Sequence, residues 1–165
     1  MTTPAIEGWF TTGPEPALLG SECTECGNVA FPAEQEFCKN PACSSESFAQ
    51  RELGRTGTVW SYTDAQYQPP APYIPASDPY EPFTLAAVEV PEGLVILGQL
   101  AAGYSVADIK VGSPVTLVVE RAWSDEDGDK TMWKWLPTEP SEERASDRGG
   151  QSGPLPTESS EAEQA

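Results

Sequence analysis

Four cysteines carry the most distinctive chemistry in this sequence of 165 residues. They form two close pairs, Cys23-x2-Cys26 and Cys38-x4-Cys43, which are separated by eleven residues. Each pair is spaced like one knuckle of a metal site, and Gly27 permits a tight turn that points backbone N–H groups at a thiolate. Two knuckles that converge give a tetrahedral site of four sulfur ligands, the geometry that zinc prefers.

This cysteine pattern has three interpretations. A structural zinc ribbon with one Zn²⁺ per chain fits the spacing best, and its closed site leaves no position for a reactive water. A rubredoxin-like iron site is the second, although redox sites usually repeat the x2 spacing in both knuckles. Free or disulfide-linked thiols are the third.

The sequence contains no histidine. Its absence excludes the Ser-His-Asp and Cys-His nucleophile systems and every mixed Cys/His metal site. If all four thiolates bind zinc, no cysteine remains as a nucleophile. The sequence therefore predicts no catalytic residue and no independent enzyme.

The charge balance restricts the partners. Acidic residues number 26 and basic residues 9, which gives a formal charge of −17. Nucleic acid and anionic membranes are unsuitable partners, because both need clustered Lys and Arg. No apolar stretch approaches the roughly 18 residues that span a bilayer, and the first residues do not resemble a signal peptide. We therefore expect a cytoplasmic protein with reduced thiols.

Composition divides the chain into four parts. Residues 1–20 are a short lead, 21–50 hold every cysteine, 51–137 hold the β-branched runs, and 138–165 are rich in Pro, Ser, Gly and Glu. The last part carries a charge of −5 and almost nothing apolar. We expect it to be a disordered acidic tail, because it has too little apolar surface to offset the entropy of ordering.

The third part predicts an all-β domain of five short strands. The predicted strands are 55–63, 83–90, 94–100, 115–123 and 131–136. Ser105 to Asp108 resembles a capping box, which places a short helical turn after the third strand. This order matches an OB-fold barrel, although SH3-like barrels also use about five strands. Gly98, inside the third strand, indicates a bulge or a sharp bend.

A long loop, residues 64–82, separates the first two strands of the barrel. Its nineteen residues include six prolines, so we expect it to be stiff and extended. Tyr67, Tyr73 and Tyr80 are candidate contacts with a partner or an acyl-CoA, because aromatic side chains give large contact areas at low entropic cost. The alternative is a flap that packs on its own barrel. Trp133 and Trp135 share one face of the last strand, and we expect at least one of them in the core.

These motifs resemble the DUF35 family. The resemblance covers residues 20–137 and rests on Cys-x2-Cys-Gly, Phe31-Pro32 and Phe37-Cys38-x4-Cys43, followed by segments 54–63, 97–100 and 111–115. The resemblance implies an N-terminal rubredoxin-like zinc ribbon followed by an OB-fold, acyl-CoA-associated domain.

The resemblance also implies a function. Members of the family accompany thiolases, thiolase-like lipid-transfer proteins with aldolase or thiolase activity, and hydroxymethylglutaryl-CoA synthase. Some act in the degradation of steroid side chains and of aromatic compounds. The chain is then expected to be an accessory subunit that docks on a thiolase-like enzyme, with any acyl-CoA contact shared with basic groups of the partner. The competing class is a nucleic-acid-binding OB-fold with a zinc ribbon, which is disfavoured because such proteins place their aromatic platforms in a basic groove.

Overall fold

The computed structural model describes residues 2–138. They form nine strands and one short 3₁₀ helix, and no α-helix occurs within this part of the chain. The strands are β1 (Thr2–Pro4), β2 (Leu19–Cys23), β3 (Val29–Ala30), β4 (Phe48–Glu52), β5 (Thr56–Ala65), β6 (Phe83–Glu89), β7 (Val95–Leu100), β8 (Pro114–Asp125) and β9 (Gly128–Pro137).

Strands β5 to β9 form the predicted five-stranded barrel. The larger sheet has the order β1-β9-β7-β6-β5-β8, and a further pairing of β9 with β8 closes it. Strand β9 reaches β7 through the parallel pairs Gln99 with Lys134 and Leu100 with Trp135. The 3₁₀ helix Val106–Asp108 follows β7 and has the predicted capping box between Ser105 and Asp108. The all-β prediction and the OB-fold order are confirmed.

The barrel strands alternate between a buried and an exposed face, as half-buried strands do. In β9, Thr131, Trp133 and Trp135 are buried, whereas the residues between them are only partly so. The largest fully buried side chains include Leu18, Val59, Val88, Val115, Leu117 and Trp135. Of Trp133 and Trp135, at least one was expected in the core, and both are buried there.

Gly98 does not form the predicted bulge. It pairs in regular register with Ala86, and the register shift lies instead on the neighbouring strand, between Val59 and Ser61. The physical reason for the glycine is packing, because a β carbon there would lie 2.8 Å from Nε1 of Trp135.

The zinc ribbon is a separate three-stranded sheet with the order β3-β2-β4. The residues that precede the ribbon pack on the barrel. Strand β1 pairs with β9 in parallel, and Phe10 and Leu18 lie in the hydrophobic core. The domain boundaries at residues 20, 50 and 137 stay predictions.

The predicted acidic tail comprises residues 138–165. Apart from Thr138, it lies outside the described residues. Within residues 2–138, no helix has the length and apolar character needed to cross a membrane.

Candidate functional site

The four cysteines lie on two turns of the ribbon that face each other. Cys23 ends β2, and Cys26 follows in the turn that leads to β3. Gly27 completes this turn with φ +72, a left-handed conformation that glycine adopts without steric cost. Cys38 and Cys43 come from the segment between β3 and β4.

The sulfur atoms form one cluster, all within 4.8 Å of each other. The Sγ atoms of Cys23 and Cys43 are 3.9 Å apart, and those of Cys26 and Cys38 are 3.5 Å apart. A tetrahedron with Zn–S bonds of about 2.3 Å has sulfur–sulfur edges of about 3.8 Å. The thiols are free of disulfides, since a disulfide needs sulfur atoms about 2.05 Å apart. The cluster therefore fits a four-coordinate zinc ion.

Backbone hydrogen bonds hold each turn in place. The N–H of Gly27 donates to the carbonyl of Cys23 at 2.8 Å, and the N–H of Cys43 donates to the carbonyl of Asn40 at 2.9 Å. The N–H of Asn40 also donates to Sγ of Cys38 at 3.5 Å. An N–H group that donates to sulfur, as that of Asn40 does, favours the thiolate over the thiol, and the thiolate is the form that binds metal.

The thiols respond unequally to their surroundings. The backbone N–H of Cys26 is the largest influence on Cys23 and, against the effect of burial, lowers the pKa of that thiol to about 6. At Cys38 the N–H of Asn40 again lowers the pKa, but burial and the neighbouring thiols outweigh it and the pKa rises. Four neighbouring thiolates would repel each other. A divalent cation bound between them would offset this repulsion, and its binding would release the protons of the remaining thiols.

Aromatic side chains join the ribbon to the barrel. Trp133 of β9 stacks on Trp9 with ring centroids 6.0 Å apart, and it meets the edge of Phe31, next to β3, at 5.8 Å. Phe10 adds a third contact with Trp133 at 5.7 Å. These contacts hold the ribbon against β9 of the barrel. Sequence reasoning did not find this junction, because Trp9 and Phe31 are far from Trp133 along the chain.

The structure separates the three predicted tyrosines. Tyr67 is 81% exposed. Tyr73 and Tyr80 are half-buried against Phe83, with ring centroids 5.9 and 6.2 Å from it. The hydroxyl of Tyr80 donates to the carbonyl of Ala65 at 2.7 Å, and burial raises the pKa of both Tyr73 and Tyr80. Two of the three rings thus fasten the loop to its own barrel.

The basic side chains of the described residues are mostly engaged within the chain. Residues 1–138 contain seven basic and 19 acidic side chains, a net charge of −12. Ion pairs with N···O distances of 2.6 to 3.6 Å occupy Lys39, Arg51, Arg55, Lys130 and Lys134. The ribbon and the barrel therefore offer little cationic surface to a phosphate.

Sequence comparisons identify both modules. Residues 12–49 match the family described as the rubredoxin-like zinc ribbon domain of ChsH2, and residues 50–120 match its C-terminal OB-fold domain. The chain belongs to this family, the DUF35 proteins. One structural zinc, as predicted, agrees with the family and with the clustered thiols. The ligand role of each cysteine stays a prediction that variants can test.

Three known proteins show the range of the similarity. The chain is 35% identical over 85 residues to the benzoylsuccinyl-CoA thiolase subunit BbsA of Geobacter metallireducens, a match that spans 52% of this chain and about half (51%) of BbsA. It is 32% identical to a DUF35 domain-containing scaffold protein of Pyrococcus furiosus, over 67% of this chain and 75% of that protein. A chain in the structure titled Ltp2-ChsH2(DUF35) aldolase superposes with a TM-score of 0.56 and 27% identity, over 73% of this chain and 84% of that one.

Proposed function

We propose that this protein is a non-catalytic subunit that docks on a thiolase-like enzyme, either a thiolase or an aldolase, in the cytoplasm. In that complex it supports the binding or channelling of an acyl-CoA, in the degradation of steroid side chains or of aromatic compounds. One observation carries the proposal: this chain superposes on 84% of a chain in the structure titled Ltp2-ChsH2(DUF35) aldolase, with 27% identity. A relative named as a thiolase subunit supports the same class of partner.

The chemistry of the metal site supports a structural role. A zinc ion held by four thiolates has no open position for water or substrate, and it is therefore not a Lewis acid for the reaction. The chain has no histidine that could act as a general base at neutral pH. The reacting groups then belong to the partner, and the ribbon orients the barrel on it.

The charge of the chain supports a shared acyl-CoA site. Coenzyme A carries several phosphate charges, and proteins bind phosphate with Arg, Lys or helix N-termini. The described residues carry −12, and ion pairs occupy most of their basic side chains. We infer that the partner binds the phosphates, while this subunit contributes neutral and aromatic contacts.

The loop between β5 and β6 supplies one set of such contacts in this proposal. Tyr67 is its exposed anchor, since 81% of its surface is free to contact a partner. Tyr73 and Tyr80 hold the loop against β6 through their packing on Phe83. Their partner contact is indirect or limited to the exposed part of each ring.

Co-expression with a thiolase-like enzyme from the same organism tests the proposal. The two proteins should elute together in size-exclusion chromatography, with equal amounts of zinc and of this subunit. Separate elution at micromolar concentrations would refute the docking proposal. If the complex forms and the Tyr67→Ala, Tyr73→Ala, Tyr80→Ala triple variant binds as tightly as the wild type, the loop is not the contact surface.

A further inference from the structure

The outer face of the barrel from β5 to β7 exposes large apolar side chains at positions where a solvent-facing strand normally carries polar ones. Val95 and Leu97 of β7 are 48% and 62% exposed, whereas Ile96 between them is buried. From Val95 to Leu97, strand β7 is therefore apolar on both faces. An antiparallel strand with one face in water normally carries polar side chains on that face, so this pattern indicates that the outer face is covered in the working protein.

The strand register brings further apolar side chains to Leu97. Leu97 pairs with Ala87, which pairs with Ser61 on β5. The neighbour of Ser61, Trp60, lies at the register shift and is 63% exposed. Side chains at directly paired positions lie about 5 Å apart. Ala87 and Leu97 are such a pair, Val95 lies two residues from Leu97 on the same side of β7, and the exposed Trp60 lies next to Ser61. We call the surface that carries these four side chains the β5–β7 face.

This face continues toward the long loop. On β6, Leu85 lies two residues from Ala87 and so points to the same side, and Phe83 follows beneath Tyr73. In OB-folds, the face of the second and third strands and the loop between the first two strands form the usual binding surface. In this chain those elements are β6, β7 and the loop that carries Tyr67.

The charges select the kind of occupant. Glu89 pairs with Val95 and with Thr58, so an exposed carboxylate borders the β5–β7 face. Two copies of a chain with charge −17 repel each other. Nucleic acid is repelled for the same reason. A partner with an apolar centre and a basic rim is complementary to the apolar side chains of this surface and to the carboxylate at its border.

We propose that the β5–β7 face is the main docking surface for the catalytic partner, and that it receives an apolar patch rimmed by Lys or Arg. The proposal rests on the proposed function, because its occupant is the thiolase-like enzyme. It assigns the dominant contact to Trp60 and Leu97, with the loop tyrosines at the edge. Buried aromatic and apolar anchors at the centre of an interface carry most of the binding energy.

Binding of the full-length chain to the immobilised thiolase-like enzyme tests the assignment. Trp60→Ala and Leu97→Ser should each weaken binding by about thirtyfold or more. Phe37→Ser is the matched control, because Phe37 is 61% exposed but lies on the ribbon. Glu89→Lys should slow association, and the effect should shrink as salt is added. Glu46→Lys makes the same charge change on the exposed surface of the ribbon and should have little effect.

Hydroxyl-radical footprinting of the wild-type complex gives a measurement that needs no variant. Trp60 should be modified less in the complex than in the free subunit, and Phe37 should not change. Wild-type affinity in both Trp60→Ala and Leu97→Ser, or an unprotected Trp60, would overturn this assignment while the complex itself stands. If the wild-type chain does not bind the enzyme at all, the proposed function fails and this assignment fails with it.

Discussion

The indole nitrogen of Trp135 lies so close to Gly98 that a β carbon on Gly98 would be 2.8 Å from it. The same carbon would be 3.1 Å from Nε1 of Trp133, which donates to the carbonyl of Leu97 at 3.0 Å. Two tryptophan rings from β9 thus rest directly on the backbone of β7. The core of the barrel depends on the missing side chain at this position.

Gly98→Ala should destabilise the protein, because the added methyl must displace a fully buried ring in a close-packed core. The expected loss is about 1–3 kcal/mol in the free energy of unfolding, measured by urea denaturation. Leu97→Ala, on the outer face of the same strand, is the control and should change stability by no more than about 0.5 kcal/mol. Equal effects of the two substitutions would contradict this account of the core.

Metal removal should unfold the ribbon. Cys26→Ser takes one ligand from the cluster, and we expect purified protein to lose its single zinc ion and the order of residues 21–50. Thr24→Ser, in the same turn, keeps all four thiols and should retain one zinc per chain. The barrel should survive but be less stable, because Phe31 would no longer cover Trp133. Elemental analysis that finds no zinc in the wild-type protein, purified without chelator, would contradict the assignment.

The loop tyrosines should separate into a binding residue and a stabilising residue. Tyr67→Ala should leave the free energy of unfolding within about 0.5 kcal/mol of the wild type, yet weaken association with the enzyme. Tyr80→Phe removes the hydrogen bond to Ala65 and should cost about 1 kcal/mol of stability with little effect on affinity. Denaturation and binding measurements on both variants provide the check. The reverse pattern would show that the loop is oriented differently in the complex.

The sequence predicted most of this architecture for identifiable reasons. Runs of β-branched and aromatic residues marked the five barrel strands, and the cysteine spacing marked the metal site. The strand ends differ, because the ladder between β8 and β9 continues through polar residues to the pair Asp125 and Gly128. The family resemblance supplied the proposed kind of partner, which no spacing or composition could supply.

Three features were not predicted, and two of them depend on residues far apart in the chain. The parallel pairing of β1 with β9 joins residues more than 120 positions apart. The sequence indicates a bulge or a sharp bend at Gly98, whereas the glycine makes room for two tryptophan rings of β9, more than 30 residues further along the chain. The exposed side of β7 did leave a signal, a continuous run from Leu94 to Leu97, but only the register shows which of its members face outward.

Removal of the acidic tail should leave folding and partner binding intact. The cut belongs after Thr138, because its N–H donates to the carbonyl of Pro114 at 3.2 Å. Residues 139–165 have high charge and no apolar periodicity, so a contribution to the core is not expected. A truncated chain that stays soluble and keeps its zinc but no longer binds the enzyme would contradict this prediction.

The central claim is that this chain assists catalysis without performing it. The most direct test is the rate of acyl-CoA turnover, measured for a thiolase-like enzyme that binds this chain, for that enzyme with the zinc-loaded subunit, and for the subunit alone. We predict no turnover by the subunit alone and a higher rate or a lower KM for the mixture. An enzyme rate that is unchanged by saturating subunit, or turnover by the subunit alone, would contradict the account.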